Sequence, residues 1–204
     1  MKAKTITTLF LDIGGVLLTN GWGKEQRNAA IKHFKLDSEE LNERHHLTFD
    51  TYESGKLTLS EYLKRIVFYE KRRFSEDTFI KFMFKQSLPY PDVISFFKEL
   101  KRAHKLKVIA VSNEGRELNT YRISKYKLNE LFDAFASSSF VHLRKPDADI
   151  FKMAIDMSQT HPENIIYIDD RHMFVEVAKT LSMHGIHHQG LETTKKQLKK
   201  FGLE

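Results

Sequence analysis

The chain opens on an almost wholly apolar run, TLFLDIGGVLL over residues 8–18, interrupted by one acid, Asp12, and by the pair Gly14–Gly15. A continuous apolar stretch of this kind is how a strand buried on both faces of a parallel sheet reads. The carboxyl end of such a strand is where open α/β folds build their sites. A carboxylate placed there beside flexible backbone points to a reactive or metal-binding group. The same residues also fit an Asp capping the next helix, with glycines serving a tight turn.

Further short apolar runs follow at 106–113 (LKVIAVSN), 133–140 (DAFASSSF), 164–170 (NIIYIDD) and, more weakly, 185–188, after the first at 6–12. Helical stretches separate them, including PDVISFFKELKRAHK, DADIFKMAIDMSQ and MFVEVAKTLSM. This alternation predicts an α/β fold, a Rossmann-like parallel sheet with helices on both faces. Residues 19–86 break the alternation with helix after helix, at 24–36, 38–55, 58–74 and 75–87. Ser38 with Glu40 and Glu43, and Ser75 with Asp77, read as helix starts. So long a helical stretch exceeds what a crossover needs. It is expected to form an inserted small helical cap domain (19–86) over a core built from 1–18 and 87–204; an elongated crossover packed on the sheet is the alternative.

The lysines before the first run imitate a secretory leader, but Asp12 interrupts it and no small-residue cleavage site follows. No segment reaches the apolar length of a membrane span, and there is no cysteine, so no disulfide, thiolate metal site or thiol nucleophile is available. A soluble, cytoplasmic protein with no membrane partner is expected. The 33 basic residues against 27 acidic give a net charge of +6, a field that favours anionic ligands. No pattern of an RNA-binding sheet or DNA-reading helix accompanies it, so nucleic acid is not the expected partner.

Four polar features fall just after apolar runs: Asp12, Ser112–Asn113, Lys145 in HLRKPD, and Asp169–Asp170. In a parallel sheet those ends converge on one edge. Carboxylates facing one another repel unless a cation lies between, and hard oxygen ligands suit Mg²⁺. A hydroxyl, an amide and an ammonium nearby can hold phosphoryl oxygens. Together these allow phosphoryl transfer through an aspartyl-phosphate. Taken singly, Ser112 and Asp169–Asp170 read equally as helix caps, and Lys145 as a surface lysine.

In these motifs the chain resembles the haloacid dehalogenase-like superfamily almost end to end. LFLDIGGVLL, VIAVSN, RKPDADIF and YIDD follow in the family's order, YESGKLTLSEYL resembles the helix–turn–helix of its helical cap, and the tail is similar to its last strand and helix. The resemblance implies a hydrolase, a phosphatase of small phosphorylated metabolites, with Mg²⁺ as cofactor. It makes Asp12 the nucleophile and a metal ligand, the Gly14 carbonyl a second ligand, Asp170 the main acidic ligand and Asp169 its assistant. Ser112, Asn113 and Lys145 would hold the phosphoryl group, helped by backbone N–H groups of Ile13, Gly14 and Gly15, and Lys145 would damp repulsion between phosphate and Asp12.

Two positions depart from the pattern. Family phosphatases carry an Asp two residues after the nucleophile as general acid; here that residue is Gly14, and losing a positioned acid costs about 10²–10⁴-fold in rate. Either a good leaving group needs no proton, or His33, His45, His46, Glu25 or Glu114 supplies one, or the protein binds phosphorylated ligands without turnover. The register DDxxxN, where Asn or Asp orients the acidic pair or the lysine, ends here in Phe174; Arg171 and His172 are the expected substitutes. A carbon–halogen hydrolase fits less well, because that branch has an aromatic residue at the Gly14 position and needs no metal. Specificity is expected in the cap, around Trp22, His45, His46 and Tyr52.

Overall fold

The computed structural model describes residues 5–204. Strand β1 (Thr8–Leu11), buried at every residue, is followed by four consecutive helices: α1 (Lys24–Phe34), α2 (Ser38–Glu53), α3 (Leu59–Ile66) and α4 (Glu76–Lys85). Alternation then begins with α5 (Pro91–His104), β2 (Lys107–Ser112), α6 (Arg116–Lys125) and β3 (Ala134–Ser137). It continues through the single turn α7 (Ser138–Val141), α8 (Ala148–Ser158), β4 (Ile165–Asp169), α9 (His172–Thr180), β5 (His184–His187) and α10 (Leu191–Lys199). The five strands form one parallel sheet in the order β3-β2-β1-β4-β5.

Side-chain alternation along the strands explains why both faces are covered. Leu9, Leu11, Val108, Ala110, Ile166 and Ile168 pack on one face with Phe97 and Leu100 of α5 and Leu198 of α10. Phe10, Ile109, Val111 and Tyr167 pack on the other with Phe151 and Ala154 of α8 and Val175 of α9. The period of two puts neighbouring residues on opposite faces, which is why the middle positions of the central strands are apolar in succession. Helices α1–α4 build a third apolar cluster of their own, centred on Tyr62, Leu63, Phe79 and Met83, which reaches the rest of the chain through Leu118 of α6.

All five expected strands are present, the first four with shorter ends and the fifth one residue earlier than expected. Beyond β3 the chain turns helical because Ser138 Oγ donates to the Glu53 carbonyl (2.7 Å) and accepts the Glu114 N–H (2.9 Å). The third helix, expected over 58–74, stops at Ile66, where Arg72 folds back to donate to the Val67 carbonyl at 2.7 Å. Its start is a capping box between Thr58 and Glu61, whereas α2 is capped by Asp37, one residue before the expected Ser38. Among the described residues no helix is long and apolar enough to cross a membrane.

Candidate active site

Register sets the site. Leu11 pairs with Ala110 on one side and Ile168 on the other, so Asp12 leaves β1 level with Asp169 and one residue short of Ser112. Asp12, Ser112 and Asp169 therefore leave the sheet at one edge, where β1 diverges toward neighbours reached in opposite directions. Lys145, from the loop before α8, completes the group.

The ammonium of Lys145 is the hub. It lies 3.2 Å from Asp12 Oδ1 and 2.6 Å from Asp169 Oδ2, and donates to the Tyr167 hydroxyl at 3.0 Å. Tyr167 in turn donates to Asp169 Oδ2. Phe174 presents its ring to the same ammonium, 5.0 Å from the centroid. Lys145 is 1 % exposed and Asp169 0 %; so deep a charge is tolerable only when paired and hydrogen-bonded. Asp169 Oδ1 accepts the Arg171 N–H at 2.6 Å, so protein partners engage both of its oxygens. Asn113 clamps the Lys145 backbone from both sides, accepting its N–H and donating to its carbonyl at 2.8 Å each.

Asp12, Asp169 and Asp170 can each offer an oxygen within 4.8 Å of the others. Burial pushes the Asp12 carboxyl up to about 7; Lys145 opposes this, while Asp169 and Asp170 add to it. Burial, then Asp169, also raises Asp170, while a hydrogen bond from Asn20 lowers it. Carboxyls that resist ionisation together at one place are a donor set that favours a divalent cation. Gly15 is needed for clearance: it has φ +76°, and a Cβ there would lie 2.2 Å from Asp170 Oδ2. Its N–H donates to the Leu18 carbonyl at 2.7 Å, and the Ile13 N–H donates to Asp12 Oδ1 at 2.8 Å. Those two amides are thus engaged within the loop, not offered to a phosphoryl group as expected.

A cavity of about 460 Å³ opens above this edge. Asp12, Gly14, Ser112, Asn113, Lys145 and Asp170 line it from the sheet side, and Trp22, Arg27, His45, Phe49 and Glu53 from the helical side. The Ser112 hydroxyl lines it, unpartnered among the described residues. Of the five expected proton donors, only His45 and Glu114 reach the wall; His33 stacks on Phe82, and His46 and Glu25 are exposed outside it. Burial, with help from Arg27 and His46, lowers His45 to about 3, so at neutral pH its ring is uncharged. Glu114 is raised by burial and ion-paired with Arg122. Of the residues expected to set specificity, Trp22 and His45 line the cavity, while Tyr52 is buried behind it against Tyr62. Of the expected substitutes for an orienting residue at 174, Arg171 engages the acidic pair, through its backbone N–H on Asp169 and its exposed guanidinium 4.0 Å from Asp170, whereas His172 pairs with Glu176, and neither orients Lys145. Tyr167 does that work, missed by sequence reasoning although it stands two residues before Asp169 on a buried strand and so on the same face.

Residues 6–180 match the haloacid dehalogenase-like hydrolase family. The chain belongs to that family. Its structure is similar to that of a family enzyme from Bacteroides thetaiotaomicron, with a TM-score of 0.79 at 21% identity over 95% of this chain and 99% of that one. The same enzyme has been solved in complex with magnesium and inorganic phosphate. A HAD-like hydrolase from Porphyromonas gingivalis gives 0.75 at 19% identity, covering 96% of this chain and 98% of that one. The L-2-haloacid dehalogenase from Xanthobacter autotrophicus is more distant, at 0.63 and 16% identity over 96% of this chain and 83% of that one. No curated protein matches the sequence.

Proposed function

We propose that this hydrolase is a Mg²⁺-dependent phosphatase of small phosphorylated metabolites, acting through a phosphoryl group carried on Asp12. The observation that carries the reading is the bridge of one buried ammonium between Asp12 and Asp169, at the mouth of a cavity that Asp170 also lines. Asp12, Asp170 and the Gly14 carbonyl would hold the ion, with Asp169 assisting; when bound, Mg²⁺ supplies positive charge to the transferring phosphoryl oxygens. The magnesium and phosphate complex of the Bacteroides relative supports this choice.

In the first half-reaction an Asp12 oxygen attacks phosphorus, the P–O bond to the leaving group breaks, and its electron pair departs on that oxygen. Water then attacks the acyl phosphate, returning the Asp12 carboxylate and inorganic phosphate. Lys145 faces the developing charge, Ser112 donates to a phosphoryl oxygen, and Asn113 fixes Lys145 through its backbone. Residues 19–86 act as a cap on the core of 1–18 and 87–204; their separate apolar cluster and their share of the cavity wall support that division. Such a cap excludes water during transfer.

Gly14 favours a second reading, phospholigand binding without turnover. Hydrolysis of p-nitrophenyl phosphate with and without Mg²⁺ decides, because that leaving group needs no proton. Mg²⁺-dependent release of nitrophenolate, abolished in Asp12→Asn, is the expected result. No release from folded protein would leave the binding reading; release that survives chelator would exclude the metal.

A further inference from the structure

The helical wall of the cavity carries a second set of donors that phosphoryl transfer at Asp12 does not use. Arg27, on α1, has its guanidinium fixed in plane: Nη1 donates to the Trp22 carbonyl at 2.9 Å and Nε reaches Asn42 Oδ1 at 3.4 Å. Among the described residues Nη2 has no hydrogen-bond partner and no carboxylate lies within ion-pair distance of this side chain; Glu53 acts on it only from farther off and is itself bonded to Arg144. The neighbouring cation, Arg144, differs: it is taken up by Asp50 at 2.5 Å and Glu53 at 2.7 Å. A half-buried guanidinium held rigid but left unpaired is a prepared anion site, since little freedom remains to be lost on binding.

His45 adds a second donor in the tautomer that accepts at Nδ1. Indole Nε1 can only donate, so in the 3.0 Å bond from Trp22 the Tyr62 oxygen accepts. The Tyr62 proton is then free to go to His45 Nδ1, 2.6 Å away. A neutral imidazole accepting at Nδ1 carries its hydrogen on Nε2. That Nε2–H has no partner among the described residues, and His45 lines the cavity. Tyr62 is itself held by stacking on Tyr52 at 4.4 Å. The relay from Trp22 through Tyr62 thus holds the ring in place and, with the Tyr62 proton on Nδ1, leaves Nε2–H as the edge facing a ligand.

We infer that Arg27 and His45 form a subsite for a second oxyanion, so that the preferred substrates are phosphate monoesters bearing a carboxylate or a second phosphate away from the scissile group. One oxygen of that group accepts from Arg27 Nη2 and another from His45 Nε2–H. The inference rests on the phosphatase reading for the position of the scissile phosphate.

Two matched pairs test it: 3-phosphoglycerate against glycerol 3-phosphate, and fructose 1,6-bisphosphate against fructose 6-phosphate. Trp22 is the single tryptophan and lines the cavity, so its fluorescence reports binding independently of turnover. In an Asp12→Asn background that leaves the esters intact, the member of at least one pair that bears the second anionic group should bind about 10- to 100-fold more tightly, the range of one charged hydrogen bond. Arg27→Gln should bring that ratio to about one, and Tyr62→Phe should reduce it without abolishing it. The wild-type kcat/KM ratio should follow the same order. A ratio near one in both pairs, no binding of any ester, or a preference that survives Arg27→Gln would overturn the inference. Failure of the phosphatase reading shows separately, as no hydrolysis of p-nitrophenyl phosphate by the wild-type protein.

Discussion

Replacing Asp12 by Asn should stabilise the metal-free protein at neutral pH while removing its activity. Burial holds the Asp12 carboxyl near 7 in the folded chain, against an ordinary value of 3.8. The separation is about three pH units, worth about 4 kcal/mol at 1.36 kcal/mol per unit. Between those two values the folded state binds more protons than the unfolded, so stability is full below about pH 4 and falls as pH rises toward about 7. From pH 5 to 7.5 the wild type should lose about 3 kcal/mol through this group, or about 6–12 °C in Tm for a chain of this length. Asp170, Glu53 and Glu114 are raised as well, and His45 and His188 lowered. Glu53, Glu114, His45 and His188 are common to both proteins and cancel in the difference; Asp170, whose charge acts on Asp12, is relieved in the variant and adds to the difference in slope. Losing the 3.2 Å contact with Lys145 offsets part of the gain, although Lys145 keeps Asp169 and Tyr167. The slope is therefore the quantity to read. Thermal melts of both proteins across that pH range, with chelator and with saturating Mg²⁺, give it directly. Wild type should be steeper with chelator, and Mg²⁺ should remove most of the excess by taking the place of the proton. Parallel curves in chelator would refute the buried-carboxyl argument.

Other substitutions probe the supports of the site. Tyr167→Phe strips a buried donor from Asp169 and an acceptor from Lys145, so urea denaturation should show a loss of about 1–3 kcal/mol, with a lower kcat on p-nitrophenyl phosphate; an unchanged midpoint and rate would make the hydroxyl idle. Gly15→Ala puts a methyl against Asp170 at a positive φ and should weaken Mg²⁺ binding by about 10–100-fold, read by calorimetric titration; undiminished affinity would count against Asp170 as a ligand. Gly14→Asp places its carboxyl beside Arg122 and must displace Asn20 Oδ1. Held ionised there, it should raise alkyl phosphate hydrolysis by less than about 10-fold, well below what a positioned acid supplies, and a gain of about 100-fold would refute that placement.

The sheet was legible because burial on both faces forces an uninterrupted apolar run, which few other structures produce. The convergence of Asp12, Ser112, Lys145 and Asp169–Asp170 was legible for the same reason, since parallel strands bring their ends to one edge. The supports were not. Asn113 reads as a phosphate ligand until its partner is seen to be the Lys145 backbone, a contact spanning 32 positions. Arg27 and Tyr62 lie on helices whose tilt no periodicity specifies, and Trp22 in the bend before α1, so their meeting in one hydrogen-bonded chain could not be anticipated. Arg122 looks like an ordinary helix-surface arginine, yet it is 1 % exposed because Glu114 and the Thr19 carbonyl receive it.

The two departures from the family pattern have a common physical logic. At 174 a ring replaces an amide, and Lys145 is instead held by a phenol, two carboxylates and the face of that ring. Its charge is in place before any ligand arrives, which is what electrostatic stabilisation of a transferring group requires. At 14 the missing carboxyl leaves space that Asn20 and the Arg122–Glu114 pair close off. A proton donor must release and regain its proton, and Glu114, although burial raises its carboxyl, is ion-paired with Arg122. The same burial that prepares this edge to hold an anion thus leaves it poorly equipped to protonate one. On the phosphatase reading proposed above, a site so divided would favour esters whose leaving groups depart unprotonated, with selection among them falling to the helical wall across the cavity.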